Sequence, residues 1–208
     1  MQKSEIITAI NESKLVAVIR GESQGEALEI AKASILGGIK LIELTYTTPN
    51  VDEVFKELEA LDVIVGAGTV LDVQTARNAI LKGAKFIVSP YFDEEVARLC
   101  NRYGILYMPG CMTIKEIMNA LEYGCSVIKL FPANTFTPNF IRSIKAPIPN
   151  VEVMPTGGIN LNNIKDWVQA GAFSVGIGSD LTKAYRTNNT EGVIELAKKY
   201  INSIREVN

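Results

Sequence analysis

The chain has 208 residues, 47% of them hydrophobic and 21% charged, with a formal net charge of -2. That balance suits one globular domain over residues 1–208 with a substantial core, and it gives no electrostatic reason to expect a nucleic-acid or anionic-membrane partner. There is no histidine, which excludes Ser-His-Asp and Cys-His catalysis and His-based zinc sites; acid-base work falls to Glu, Asp, Lys, Tyr or water.

The start, Met1-Gln2-Lys3-Ser4-Glu5, leads into a short amphipathic segment without the apolar core of a signal peptide. No apolar run reaches membrane-spanning length. Short β-branched runs then recur at 15–20, 39–45, 62–69, 85–90, 105–109, 125–132, 151–156 and 172–178. Helical candidates between them include 23–36, 51–61, 72–81, 93–103, 113–123 and 160–170, several opening on Asp, Thr or Asn as N-caps. Gly38, Gly83, Gly104, Gly124 and Gly171 each stand between a helical stretch and the next run, the place for a left-handed C-terminal residue. Ala146-Pro147-Ile148-Pro149-Asn150 reads as a loop before the seventh strand. Cys100, Cys111 and Cys125 are odd in number and lack C-x-x-C spacing, as expected of reduced, buried thiols in a cytoplasmic protein.

Eight strands in 208 residues give about one unit per 26 residues (208 divided by eight), which fits a compact (β/α)8 TIM barrel. An open doubly wound sheet is the alternative, but Val18-Ile19-Arg20-Gly21 has one glycine where the dinucleotide fingerprint needs three.

In such a barrel the chemistry sits at the C-terminal ends of the strands. The polar residues there are Arg20, Glu43, Thr45, Thr69, Ser89, Lys129, Thr156 and Ser179. Lys129 lies in the apolar run Cys125-Ser126-Val127-Ile128-Lys129-Leu130-Phe131-Pro132. Burial there favours an uncharged amine, the nucleophile of Schiff-base chemistry; the alternative is a lysine that snorkels to water. Glu43 shares a face with Leu41 and Thr45. It serves either as an acid-base group or as a structural partner of Arg20 or Lys129. Thr156-Gly157-Gly158-Ile159-Asn160 and Gly176-Ile177-Gly178-Ser179 follow strands seven and eight, where glycine-rich turns and a helix N-terminus suit a phosphate. The glycines of Val65-Gly66-Ala67-Gly68-Thr69 either open space for a ligand or allow close packing inside a narrow barrel.

Taken together, Val18-Ile19-Arg20, Leu41-Ile42-Glu43-Leu44-Thr45, Val65-Gly66-Ala67-Gly68-Thr69-Val70, Val88-Ser89-Pro90, Tyr107-Met108-Pro109-Gly110, Ile128-Lys129-Leu130-Phe131-Pro132-Ala133 and Pro155-Thr156-Gly157-Gly158-Ile159 resemble the class I aldolases of the 2-keto-3-deoxy-6-phosphogluconate (KDPG) and 4-hydroxy-2-oxoglutarate (KHG) family, in family order over nearly the whole chain. The resemblance implies that Lys129 forms the Schiff base and Glu43 is the general acid-base. It implies a keto-acid pocket of Thr69, Pro90, Phe131 and Thr156, and a phosphate site of Gly157, Gly158, Gly178 and Ser179. It also implies a phosphorylated keto-acid substrate, no cofactor or metal, and a homotrimer. One segment departs from the pattern. Many members carry Thr-x-Arg-Thr after the glutamate, with an arginine for the substrate carboxylate, whereas Thr45-Tyr46-Thr47-Thr48-Pro49 places Thr47 there. Arg20 and the hydroxyls of Thr69 and Thr156 would then hold the carboxylate. The alternatives to an aldolase are a phosphosugar isomerase or epimerase that uses Glu43 as a base, and a non-catalytic phosphosugar-binding protein.

Overall fold

The β-branched runs form strands at the expected places, each trimmed at its ends. In the computed structural model, which describes residues 1–207, they are β1 (Leu15–Ile19), β2 (Leu41–Thr45), β3 (Ile64–Gly68), β4 (Phe86–Val88), β5 (Leu106–Met108), β6 (Gly110–Cys111), β7 (Val127–Leu130), β8 (Glu152–Pro155) and β9 (Val175–Ile177). β5 lies within the fifth expected run, 105–109, and β6 follows just beyond it, separated from β5 by Pro109, which has no N–H for a ladder. Every pairing is parallel, in the orders β5-β4-β3-β2-β1-β9 and β6-β7-β8. Pro109 carries the first sheet into the second at one seam. A parallel bridge between Thr156 and Gly176 joins them at the other. The ring therefore closes into a (β/α)8 barrel, and the open doubly wound alternative fails because β8 and β9 are joined rather than left as edges.

The helices are α1 (Lys3–Ser13), α2 (Gln24–Leu36), α3 (Val51–Leu58), α4 (Val73–Leu81), α5 (Glu94–Tyr103), α6 (Ile114–Glu122), α7 (Asn139–Lys145), α8 (Ile164–Gln169) and α9 (Ser179–Arg205). Ser23, Asp72, Asp93 and Thr113 each accept a hydrogen bond from the backbone N–H three residues on, as N-caps. The five glycines expected to end helices all have positive φ. Two helical segments are shorter than expected: α3 stops at Leu58, and α8 starts late. Asn160 uses its side chain on the preceding turn, accepting from the Asn162 N–H and donating to the Gly158 carbonyl, so the helix begins only at Ile164. Neither α7 nor α9 is among the helices expected from the sequence. α9 leaves helical geometry at Asn188 and Asn189, and its second half folds back so that the Tyr200 hydroxyl donates to Asp180 Oδ2 at 2.9 Å.

Inside the barrel, Val16, Leu41, Phe86, Val88, Leu106, Met108, Val127 and Met154 form an apolar floor, with Ile6 and Ile10 of α1 packed beneath it. Gly66 on β3 leaves room for the Phe86 ring, which a Cβ at Gly66 would overlap. This glycine serves close packing. Outside, the layer between strands and helices is apolar too and includes all three cysteines. Burial pushes the Cys100, Cys111 and Cys125 thiols up to about 12, so they stay protonated and poorly nucleophilic near neutrality. Among the described residues no helix is long and apolar enough to cross a membrane.

Candidate active site

Strand alternation turns Glu43 on β2 and Lys129 on β7 into the barrel, above the apolar floor. Register places Glu43 beside Val18 and Gly66, and Lys129 beside Gly110 and Met154. The two side chains meet across the interior, Lys129 Nζ lying 3.6 Å from Glu43 Oε1. Their side chains are 6% and 0% exposed. Lys129 therefore does not snorkel to water. Glu43 faces Lys129 rather than Arg20, which is exposed at the rim. Among the described residues, neither Glu43 oxygen has a hydrogen-bond partner. A purely structural carboxylate at this depth would be expected to have its lone pairs satisfied; this one faces the Lys129 amine at 3.6 Å, a separation across which a proton can pass directly or through a water.

Gly68 makes the placement of Glu43 possible. A Cβ at Gly68 would overlap the Glu43 carboxylate, so the second glycine of β3 opens space for a functional side chain. The Phe131 ring centroid lies 5.0 Å from Lys129 Nζ, within the range where a ring face stabilises an ammonium. Thr156 Oγ1 is buried, has no hydrogen-bond partner among the described residues, and occupies the space left by the missing side chain of Gly176.

A cavity of about 430 Å³ lies at the C-terminal ends of β1, β7, β8 and β9. Seven of the residues expected at the site line it: Arg20, Phe131, Thr156, Gly157, Gly158, Gly178 and Ser179. Gly157 and Gly158 both have positive φ, which presents their backbone in a way side-chain-bearing residues resist. Gly178 and Ser179 lead into α9, whose N-terminal N–H groups and dipole favour an anion. Lys129 and Glu43 are not among the lining residues; Phe131, which does line the cavity, connects it to the Lys129 amine. Three expected residues stand apart from it. Thr69 follows β3 with φ 55, Pro90 follows β4 with its carbonyl packed against Gly110, and Thr47 lines an adjoining hollow of about 390 Å³. Arg20, Thr182 and Arg186 border both spaces.

Sequence reasoning missed Thr182, Lys183 and Arg186. With Ser179 they follow i, i+3, i+4, i+7 spacing, one face of a helix; the signal was present but had no helix assigned to carry it. Arg186 is occupied, 2.5 Å from Glu22 Oε1 and 3.7 Å from Glu26 Oε1. Arg20 and Lys183 have no such partner among the described residues, so the mouth of the cavity carries cationic charge.

A barrel with a buried lysine–glutamate pair beneath an anion-ready mouth matches the motif-level resemblance. A family model described as KDPG and KHG aldolase covers residues 6–196. The chain belongs to this family. It is an aldolase, a carbon–carbon lyase. It is 39% identical over 166 residues to the 2-dehydro-3-deoxy-phosphogluconate aldolase of Treponema pallidum, spanning 78% of this chain and 79% of that one. Over 196 residues it is 32% identical to the 2-dehydro-3-deoxy-6-phosphogalactonate aldolase of Escherichia coli, spanning 92% and 95%. The aldolase is also similar, with a TM-score of 0.82 and 28% identity over 95% of this chain and 97% of the other, to a KDPG aldolase from Legionella pneumophila with pyruvate captured at low pH as a covalent carbinolamine intermediate.

Gly68→Ala is expected to displace the Glu43 carboxylate and lower turnover by about 100-fold, the scale of a lost proton-transfer group, while far-UV circular dichroism stays unchanged. Normal turnover in this variant would show that Glu43 does not depend on the space at Gly68.

Proposed function

We propose that this aldolase cleaves 2-keto-3-deoxy-6-phosphogluconate to pyruvate and glyceraldehyde 3-phosphate through an imine on Lys129, and that it also accepts 4-hydroxy-2-oxoglutarate. The observation that carries the reading is the buried pair at 3.6 Å, with both Glu43 oxygens free of other partners. Glu43, directly or through a water, takes the ammonium proton of Lys129, and the freed amine attacks the C2 ketone. The carbinolamine hydroxyl leaves as water with the proton held on Glu43, giving a protonated imine and a carboxylate again. Glu43 then takes the C4 hydroxyl proton as the C3–C4 electrons move into the imine. The aldehyde departs, leaving an enamine. Glu43 returns the proton to C3, and water hydrolyses the imine to pyruvate and the lysine ammonium. The iminium is the electron sink.

The phosphate is assigned to Gly157, Gly158, Gly178 and Ser179. The carboxylate is assigned to Arg20 with the hydroxyls of Thr69 and Thr156. Thr47 cannot replace an arginine directly: its hydroxyl donates to Thr45 Oγ1 at 3.2 Å, and a neutral hydroxyl is a weaker partner than a guanidinium. The isomerase and binding-protein readings are disfavoured because neither needs a lysine buried against the glutamate. We further propose one catalytic domain, a homotrimer and a cytoplasmic site of action. Exposed Leu71, Tyr91, Met112, Ile114 and Met118 supply apolar surface for subunit contact; a single-chain mass in sedimentation equilibrium would remove the trimer.

Glu43→Gln should keep the fold and pyruvate binding while kcat falls by roughly 10²–10⁴-fold. A variant within a few-fold of the parent would move the acid-base role elsewhere. Phosphorylated substrates should exceed their unphosphorylated counterparts in kcat/KM by about 100-fold or more, the scale of a charge-assisted contact set. Equal values would make the glycine turns purely structural.

A further inference from the structure

Two threonine hydroxyls bond to the peptide groups on either side of Arg20, and a third bonds to one of them, in a directed network. Thr45 Oγ1 donates to the Ile19 carbonyl at 3.0 Å, which uses its only hydrogen. Thr47 Oγ1 donates to Thr45 Oγ1 at 3.2 Å, and Thr48 Oγ1, 3.4 Å from Thr45 Oγ1, must donate as well because Thr45 has no second hydrogen. Thr48 Oγ1 in turn accepts the Gly21 N–H at 3.2 Å. Thr45 and Thr48 are only 1% and 3% exposed. The loop after β2 therefore grips the peptide groups on both sides of Arg20, Ile19 C=O before it and Gly21 N–H after it. Gly21 is confined independently, since a Cβ there would lie 2.6 Å from the backbone of Ser23 and Ala27.

The guanidinium of Arg20 makes no ion pair with a carboxylate among the described residues, yet Arg20 stands where the cavity and the adjoining hollow meet. With no side-chain partner to direct it, the direction in which it leaves the barrel is set by its backbone. We infer that Thr48, acting with Thr45, is a positioning residue that fixes the direction of Arg20 toward the substrate anion. Thr47 contributes by donating to Thr45, so the residue standing in place of an arginine supports the arginine that remains. The inference rests on the reading of Arg20 as a substrate contact.

The test is a double-mutant cycle on the intact enzyme with Arg20→Ala, Thr48→Val and both together, reading KM and kcat separately alongside thermal unfolding. Thr48→Val removes the acceptor at nearly constant volume and should raise KM about tenfold with kcat within twofold, the scale of losing one well-placed hydrogen bond. Thr48→Ser restores the acceptor and should restore KM. In the Arg20→Ala background Thr48→Val should change KM little, because its target is gone. An equal rise in both backgrounds overturns the inference, as does an unchanged KM in Thr48→Val when Arg20→Ala raises it. If Arg20→Ala itself leaves KM unchanged, the assignment of Arg20 to the substrate fails. Should Thr48→Val not fold, Thr45→Val, which removes the donor to Ile19, carries the same cycle with the same readings.

Discussion

A lysine and a glutamate held together in a closed barrel set the terms for much of the surrounding structure. Removing two charges from water costs roughly several kcal/mol per ion, and their attraction offsets this only when geometry and further hydrogen bonds are good. Here the separation is 3.6 Å and neither carboxylate oxygen is otherwise bonded. The pair is thus a poor stabilising device and a good chemical one. Its existence depends on closure of the ring: β2 and β7 lie in different sheets, and only the seams at Pro109 and at Thr156–Gly176 bring their inward faces opposite one another.

Volume inside the ring is the second constraint. Phe86 fills the space above Gly66, and Glu43 fills the space at Gly68, so the two glycines of β3 do different work two residues apart. Gly176 does the same for Thr156 on the far side. The mouth is completed by α9, whose first two turns carry Ser179, Thr182 and Lys183 to the cavity and are braced by the bond from Tyr200 to Asp180.

Much of this was legible in the sequence because barrel strands are short, buried on both faces and punctuated by glycine. Strand ends expected from the sequence run one to three residues too long, since periodicity does not register where ladder pairing stops. Lys129 and Glu43 stood out as charges within apolar runs, and the turns at Gly157 and Gly178 as glycines at strand ends. The cationic face of α9 was not seen: its polar stripe carries few apolar markers, and the interruption at Asn188 and Asn189 breaks the periodicity that would have revealed a helix. The grip on Arg20 was also beyond sequence reasoning, because it is made by hydroxyls 25 to 28 positions away whose donors can be assigned only from distances.

The central claim is that Lys129, buried against Glu43, is the amine that bonds to the keto acid. Borohydride reduction of the enzyme in the presence of pyruvate, followed by peptide mass mapping, tests it most directly. The account predicts a single reduced adduct on Lys129, with Lys183 and the remaining lysines unlabelled. An adduct on any other lysine, or none, would contradict it.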